Sequence, residues 1–114
     1  KLQQKNVKVI LTNIPPIDSK RYFENVIARL ASKEKVLEFL QGDIENIYRH
    51  QEFYSMIITR CANKNNCKLL DIRGDFLWDR KYLDKFCIDG VHPNEMGHEI
   101  IAKSIIEQLE KSTK

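Results

Sequence analysis

The sequence predicts a three-layer α/β fold with a parallel sheet, of which these 114 residues hold about two strands and their helices. Three observations lead there. The run VKVILTN (residues 7–13) is β-branched and nearly continuously apolar, as parallel strands covered on both faces are, and CKLLDIR (residues 67–73) reads as a second such strand. The long stretch between them and the C-terminal stretch both carry helical periodicity. Strand, helices, strand, loop and helix make half of an α/β pattern, and two parallel strands alone leave faces and edges uncovered. Residues 1–114 are therefore expected to form a single C-terminal part of a larger domain. The opening KLQQKN reads as the tail of a preceding helix, and the first strand is expected to offer an open edge to a missing N-terminal part or to another chain.

Each element has its own signal. Pro15 and Pro16 stop the first strand, because proline donates no ladder hydrogen bond. Asp18 or Ser19 can then cap a helix. Residues 20–65 read as more than one helix. Phe23, Val26, Ile27 and Leu30 recur at helical spacing, as do Val36, Leu37 and Leu40, then Ile44, Ile47, Tyr48 and Ile57. Gly42 ends one helix and Asp43 caps the next. The cluster Asn63-Lys64-Asn65-Asn66 ends the last of them. Beyond the second strand, residues 74–88 read as a mixed loop with one short helix near 79–86. A final helix over residues 93–111 turns Met96, Ile100, Ile101, Ile105 and Leu109 to the core. Pro93 suits its first position, which places His92 at the cap.

Composition narrows the function. Hydrophobic residues make up 42% and charged residues 31% of the chain, as in ordinary globular domains. The net charge of +3 is spread over mixed runs such as KEK and DRK, without the basic, aromatic-laced stripe of a nucleic-acid binder. No apolar run is long enough to span a membrane. The three cysteines, Cys61, Cys67 and Cys87, lack CxxC spacing and a disulfide parity. They read as small buried hydrophobes, which favours a reducing, cytoplasmic setting. Arg73-Gly74-Asp75 reads as turn chemistry rather than an adhesion tripeptide, and Trp78, with Phe76 and Leu77, as a cover over the core's rim.

The densest chemistry is CIDGVHPNEMGHEI, residues 87–100. In open α/β sheets ligands sit beyond the carboxyl ends of the strands. Thr12, Asn13 and Ile14 mark one such end, and with Val91 they are the candidate substrate-pocket residues. Gly90 permits a tight turn that brings the Asp89 carboxylate to Nδ1 of His92. A carboxylate there fixes the tautomer and leaves Nε2 to take a proton from a nucleophile. A metal reading fails on spacing, since Ala102 stands where His-Glu-x-x-His needs its second histidine and Met96 breaks His-x-x-Glu-His. No metal and no cofactor is expected. Ser19 reads as a helix cap rather than a nucleophile, and Cys87, though close to His92, as a buried thiol.

Asp89-Gly90-Val91-His92-Pro93-Asn94, followed by Gly97-His98 and an apolar helix, resembles the last conserved block of the SGNH hydrolases, the GDSL-type esterases, lipases and carbohydrate-ester deacetylases. VKVILTNIPPID resembles the strand and loop after that family's Asn-containing block, and CKLLDIR its last strand. The resemblance implies a flavodoxin-like fold and ester hydrolysis by a Ser-His-Asp mechanism without cofactor. Asp89 and His92 would fill the Asp and His roles. The substrate would be a small ester: a lipid, a short acyl ester or an acetylated sugar. The family's serine and its oxyanion Gly and Asn belong to Gly-Asp-Ser and Gly-x-Asn-Asp blocks that this chain does not contain. The isolated chain is therefore expected to be inactive. The alternative is a non-catalytic α/β interaction module whose Asp–His loop is structural.

Overall fold

The computed structural model describes residues 1–112. Strand β1, Ile10–Thr12, and strand β2, Lys68–Leu70, pair in parallel with Leu11 opposite Leu69. This is the expected α/β class with a parallel sheet. Among the described residues the sheet has these two strands, so each keeps one edge without a strand partner. Both strands are shorter than the apolar runs that announce them. β2 stops because Asp71 starts a helix, its carboxylate accepting the Gly74 N–H at 2.7 Å. Ile72 and Arg73 thus leave the expected strand and join that helix. A local Asp-to-backbone bond has outcompeted the ladder.

After a one-turn 3-10 helix at Gln3–Lys5, the first α-helical run starts as α1, Ser19–Tyr22, widens into a π-helix at Phe23–Ile27 and ends as α2, Ala28–Leu30. Asp18 is its cap, accepting the Arg21 N–H at 3.2 Å, and Ser19 is the first helical residue. Helix α3, Lys33–Phe39, is capped by Ser32 and ends where Gln41 and Gly42 turn left-handed at φ 56° and 78°. Helix α4, Glu45–Lys64, begins beside Asp43, whose carboxylate accepts the Glu45 N–H at 2.9 Å. It ends within the expected asparagine cluster. The helix after β2 is α5, Ile72–Leu77, a span read from sequence as strand and loop. A 3-10 turn follows at Tyr82–Lys85, and helix α6, Glu95–Ser112, closes the described chain. No described helix is long and apolar enough to cross a membrane.

Helix α4 packs on both strands, and α6 packs on β2 and α5. Two apolar clusters result. Ile17, Phe23, Leu40 and Ile47 form the first, with Tyr22, Tyr48 and Val91 against it. Ile72, Phe76 and Phe86 form the second, with Ile100, Ile101 and Ile105 of α6 packed on it. Met96, expected in that face, is instead exposed, because the first turn of α6 projects past the cluster it serves. Trp78 is 86% exposed and covers nothing, since α5 buries Phe76 and turns Trp78 outward. Cys61 and Cys87 are likewise exposed rather than buried. Arg73 is only 4% exposed and helical, so the Arg-Gly-Asp tripeptide is neither a turn nor an accessible motif.

A string of hydrogen bonds knots the carboxyl ends of the strands. Asn13 Nδ2 donates to Asp71 Oδ1 at 2.7 Å, and Asn13 Oδ1 accepts the Arg73 N–H at 2.9 Å. The Arg73 guanidinium lies against the Tyr48 ring and donates to Glu52 Oε2 and Gln51 Oε1, both at 2.9 Å. It also donates to the carbonyls of Ile14 and Pro15. One buried cation thereby joins the end of β1, the start of α5 and the middle of α4.

Gly90 and Gly97 allow two close approaches. A Cβ on Gly97 would meet the Lys85 carbonyl oxygen at 2.4 Å. A Cβ on Gly90, at φ 73°, would meet the Asp18 carbonyl oxygen at 2.7 Å, whereas one on Gly42 would meet nothing within 4 Å. Gly42→Ala therefore carries only the left-handed backbone penalty, about 1 kcal/mol. Gly90→Ala adds an overpacking term, for about 3 kcal/mol in total. Urea unfolding of the two variants checks the difference. Equal losses would mean that the Gly90 contact is relieved by small shifts.

Candidate active site

The site residues stand on the loop between the 3-10 turn and α6. An antiparallel bridge between Phe86 and Pro93 closes that loop. The Cys87 N–H donates to the His92 carbonyl and the Asn94 N–H to the Lys85 carbonyl, both at 2.8 Å. The Gly90 N–H turns back onto the Cys87 carbonyl at 2.9 Å. Six residues from 87 to 92 are thus held as a closed turn, with Gly90 supplying the positive φ it needs.

Asp89 fills this turn with hydrogen bonds. Its Oδ1 accepts the Val91 N–H at 2.9 Å and the His92 N–H at 3.0 Å. Its Oδ2 lies 2.5 Å from His92 Nδ1. The expected Asp89–His92 contact is therefore present. The His92 ring hydrogen bond, helped by the Val91 N–H and against some desolvation, holds the Asp89 carboxyl down at about 2. Asp89 is a carboxylate throughout the neutral range and accepts the proton on Nδ1. The His92 side chain is 78% exposed, and Nε2 makes no hydrogen bond among the described residues.

His92 is not the cap of α6. Asn94 is, with Oδ1 accepting the Gly97 N–H at 3.0 Å while Nδ2 donates to the Asp84 carbonyl at 2.7 Å. Pro93 belongs to the bridge and precedes the helix. An asparagine side chain can cap the helix and bind the 3-10 turn at once, which histidine at position 92, with Nδ1 given to Asp89, cannot. His92 consequently stands free of the helix terminus.

The other candidates are placed as follows. Val91 packs against the first apolar cluster, below the turn that carries Asp89 and His92. Thr12 ends β1 and is exposed. Asn13 is 8% exposed and its amide is used in both directions, toward Asp71 and Arg73. It lines a cavity of about 370 Å³ with Glu52, Ser55, Asp71, Arg73 and Gly74, a lining that includes neither Asp89 nor His92. The carbonyl of Ile14 accepts from Arg73. The Cys87 thiol points to the Pro93 carbonyl at 3.6 Å and not to the His92 ring. Ser19 is 5% exposed and its hydroxyl has no hydrogen-bond partner among the described residues.

Sequence reasoning missed Asn94 as the cap, Arg73 as a buried hub, and Asp18, Arg21 and Asn25 as the residues facing the loop. The Asn-x-x-Gly spacing of Asn94 and Gly97 was a readable cap signal. The contacts from residues 18–25 to residues 83–90 cross more than sixty positions and leave no local trace.

The depressed Asp89 acidity is linked to stability. A carboxyl lowered on folding stabilises the native state above its unfolded acidity, near 3.8, and the gain is lost as pH falls toward about 2. Solvent around the exposed His92 screens the pair, so the gain is about 1 kcal/mol. Between pH 5 and pH 2 the wild type is expected to lose about 1 kcal/mol more than Asp89→Asn, which lacks this titration. Denaturant unfolding across that range measures it, and parallel curves for the two proteins would contradict the pairing.

Comparisons with known proteins bear on the fold. No protein-family model matches the chain, and no curated protein matches it. Among solved structures it is similar to a GDSL-like lipase from Bacteroides thetaiotaomicron, with a TM-score of 0.63 and 19% identity. The likeness covers 97% of this chain and 46% of that one, so the chain spans less than half the length of the structure it matches. The architecture of these residues is that of part of a GDSL-like lipase fold.

Proposed function

We propose that this chain contributes the His–Asp half of a Ser-His-Asp centre for ester hydrolysis, as the C-terminal part of an SGNH-hydrolase-like domain. The observation that carries the reading is the 2.5 Å contact of Asp89 Oδ2 with His92 Nδ1, with the ring open to solvent. In the mechanism Nε2 takes the proton of a serine hydroxyl as it attacks the ester carbonyl. It then returns that proton to the leaving alcohol, while Asp89 stabilises the imidazolium. Asp89, held at about 2, keeps its charge through the whole working range.

The serine would come from polypeptide outside these 114 residues. Among the described side chains, Ser19, Ser55 and Ser104 are buried, and Ser32 caps α3. The free edge of β1 is where a further strand would pair. The radius of gyration, 16.5 Å, exceeds the roughly 13 Å of a compact domain of this size, in keeping with a body that has an uncovered side. The substrate class is a small ester (lipid, short-chain acyl or acetylated sugar), with no cofactor.

The test uses a polypeptide that joins these residues to those completing the sheet, assayed on p-nitrophenyl acetate. His92→Ala is expected to lower kcat by about 10³-fold or more, and Asp89→Asn by about 10²–10⁴-fold, with KM little changed. The 114-residue chain alone is expected to be inactive. Turnover that survives His92→Ala would leave the Asp–His turn structural and favour a non-catalytic interaction module.

A further inference from the structure

The turn that carries Asp89 and His92 is held from outside by a single helical run. The guanidinium of Arg21, in α1, donates through Nη1 to the carbonyls of Phe86 at 3.2 Å and Cys87 at 3.0 Å, and through Nη2 to that of Leu83. One turn on, in the π-helix, Asn25 Nδ2 donates to the Ile88 carbonyl at 3.0 Å. At the start of the run the Asp18 N–H donates to the Gly90 carbonyl at 2.9 Å. The carbonyls of residues 83, 86, 87, 88 and 90 all point at this one run.

Arg21 is itself fixed. Its Nε donates to Asp18 Oδ2 at 2.6 Å, and Oδ1 of the same carboxylate caps α1 through the Arg21 N–H. The three nitrogens of one planar group, with five N–H bonds aimed in a fixed fork, can serve Asp18 and three carbonyls together. A lysine ammonium on its flexible stem has no such fixed fork. The link to the site is short: Cys87, whose carbonyl Arg21 holds, donates its own N–H to the His92 carbonyl at 2.8 Å. Gly90, next to Asp89, sits where any side chain would strike Asp18.

The geometry points to Arg21, oriented by Asp18, as a positioning residue that sets the geometry of the Asp89–His92 pair by clamping the backbone carbonyls of its loop. The clamp deepens the esterase reading and rests on it only for its effect on turnover. Its effect on the pair is observable without turnover.

The experiment is nuclear magnetic resonance on the full chain with labelled aspartate carboxyls and histidine rings. In the wild type Asp89 is expected to titrate near 2, and the His92 Nδ1 proton, held 2.5 Å from Asp89 Oδ2, to be observable and shifted downfield. In Arg21→Ala the Asp89 titration is expected to move up into the ordinary aspartate range and the Nδ1 proton signal to be lost to exchange. Arg21→Lys, which keeps the charge and stem and guards against a failure to fold, is expected to fail to restore either signal. Ala62→Gly, a buried change in α4 away from the loop, should lower stability while leaving both signals as in the wild type.

Both signals unchanged in Arg21→Ala, or in Arg21→Lys where only that variant folds, would overturn the clamp. So would full restoration by lysine, or a loss of both signals in Ala62→Gly equal to that in Arg21→Ala. In the turnover-competent polypeptide the clamp further predicts a 10–100-fold lower kcat with KM kept, about what misplacing a reacting group costs. A wild-type assembly without esterase activity would sink the esterase reading and leave the resonance test of the clamp intact.

Discussion

Everything in this structure hangs on how two three-residue strands are held at their carboxyl ends. A parallel pair this short makes few ladder bonds and is not stable alone. The missing stability is supplied by side chains beyond the strands. Asn13 bridges from the end of β1 to Asp71 and to the Arg73 amide at the end of β2. Asp71 stops the strand and starts α5, while its carbonyl receives Gln108 of α6 at 3.2 Å. Arg73 then reaches α4 through Glu52 and Gln51. A buried guanidinium is tolerated when most of its donors are used, and here carboxylate, amide and backbone acceptors take those of Nε and Nη1. Its Nη2 lies 2.9 Å from Glu52 Oε2 but misaligned for a hydrogen bond, so charge alone serves that corner.

That knot explains why the candidate site is built elsewhere. The polar groups at the strand ends face one another, so Asn13 and Asp71 are committed to architecture. The strongly exposed ring of His92 stands on a loop. Loops are ordinarily the mobile part of a fold. This one is restrained three times over: by the Phe86–Pro93 bridge, by the Asp89 carboxylate within the turn, and by α1 gripping its carbonyls from outside. Each restraint leaves Nε2 of His92 untouched. Order is imposed through the backbone and through Nδ1, and the remaining nitrogen faces solvent.

How much of this was legible follows from the range of each interaction. The Asp89–His92 contact was readable because it spans three residues and Gly90 signals the turn. The break at Gly42 and the asparagine-rich end of α4 were readable for the same reason. The end of β2 was misread because the apolar run continues through Ile72 while a single carboxylate decides for helix, and periodicity cannot register one capping bond. His92 was placed at a cap because Pro93 suits a first helical position. Asn94 won that role since it could satisfy the helix and the 3-10 turn together. The grip of Arg21 on the loop and the reach of Arg73 into α4 were beyond sequence reasoning. Both join positions far apart in the chain, and an arginine in an amphipathic helix looks the same whether it faces water or a ring of carbonyls.

The open edge of β1 ties architecture to chemistry. Ile10 in β1 and Val7 just before the strand are exposed, and an exposed strand edge is a liability that proteins normally cover. A strand added there in parallel would run in the direction of β1 and deliver its carboxyl end to the rim already marked by Thr12 and Asn13. The turn carrying His92 packs, through Val91 and the Asp18–Gly90 bond, on the loop and helix that leave that same rim. A serine at the end of the added strand and the histidine of this chain would then approach from two sides of one edge. On the proposed esterase reading, one added strand would both cover the free edge of β1 and bring a nucleophile toward His92.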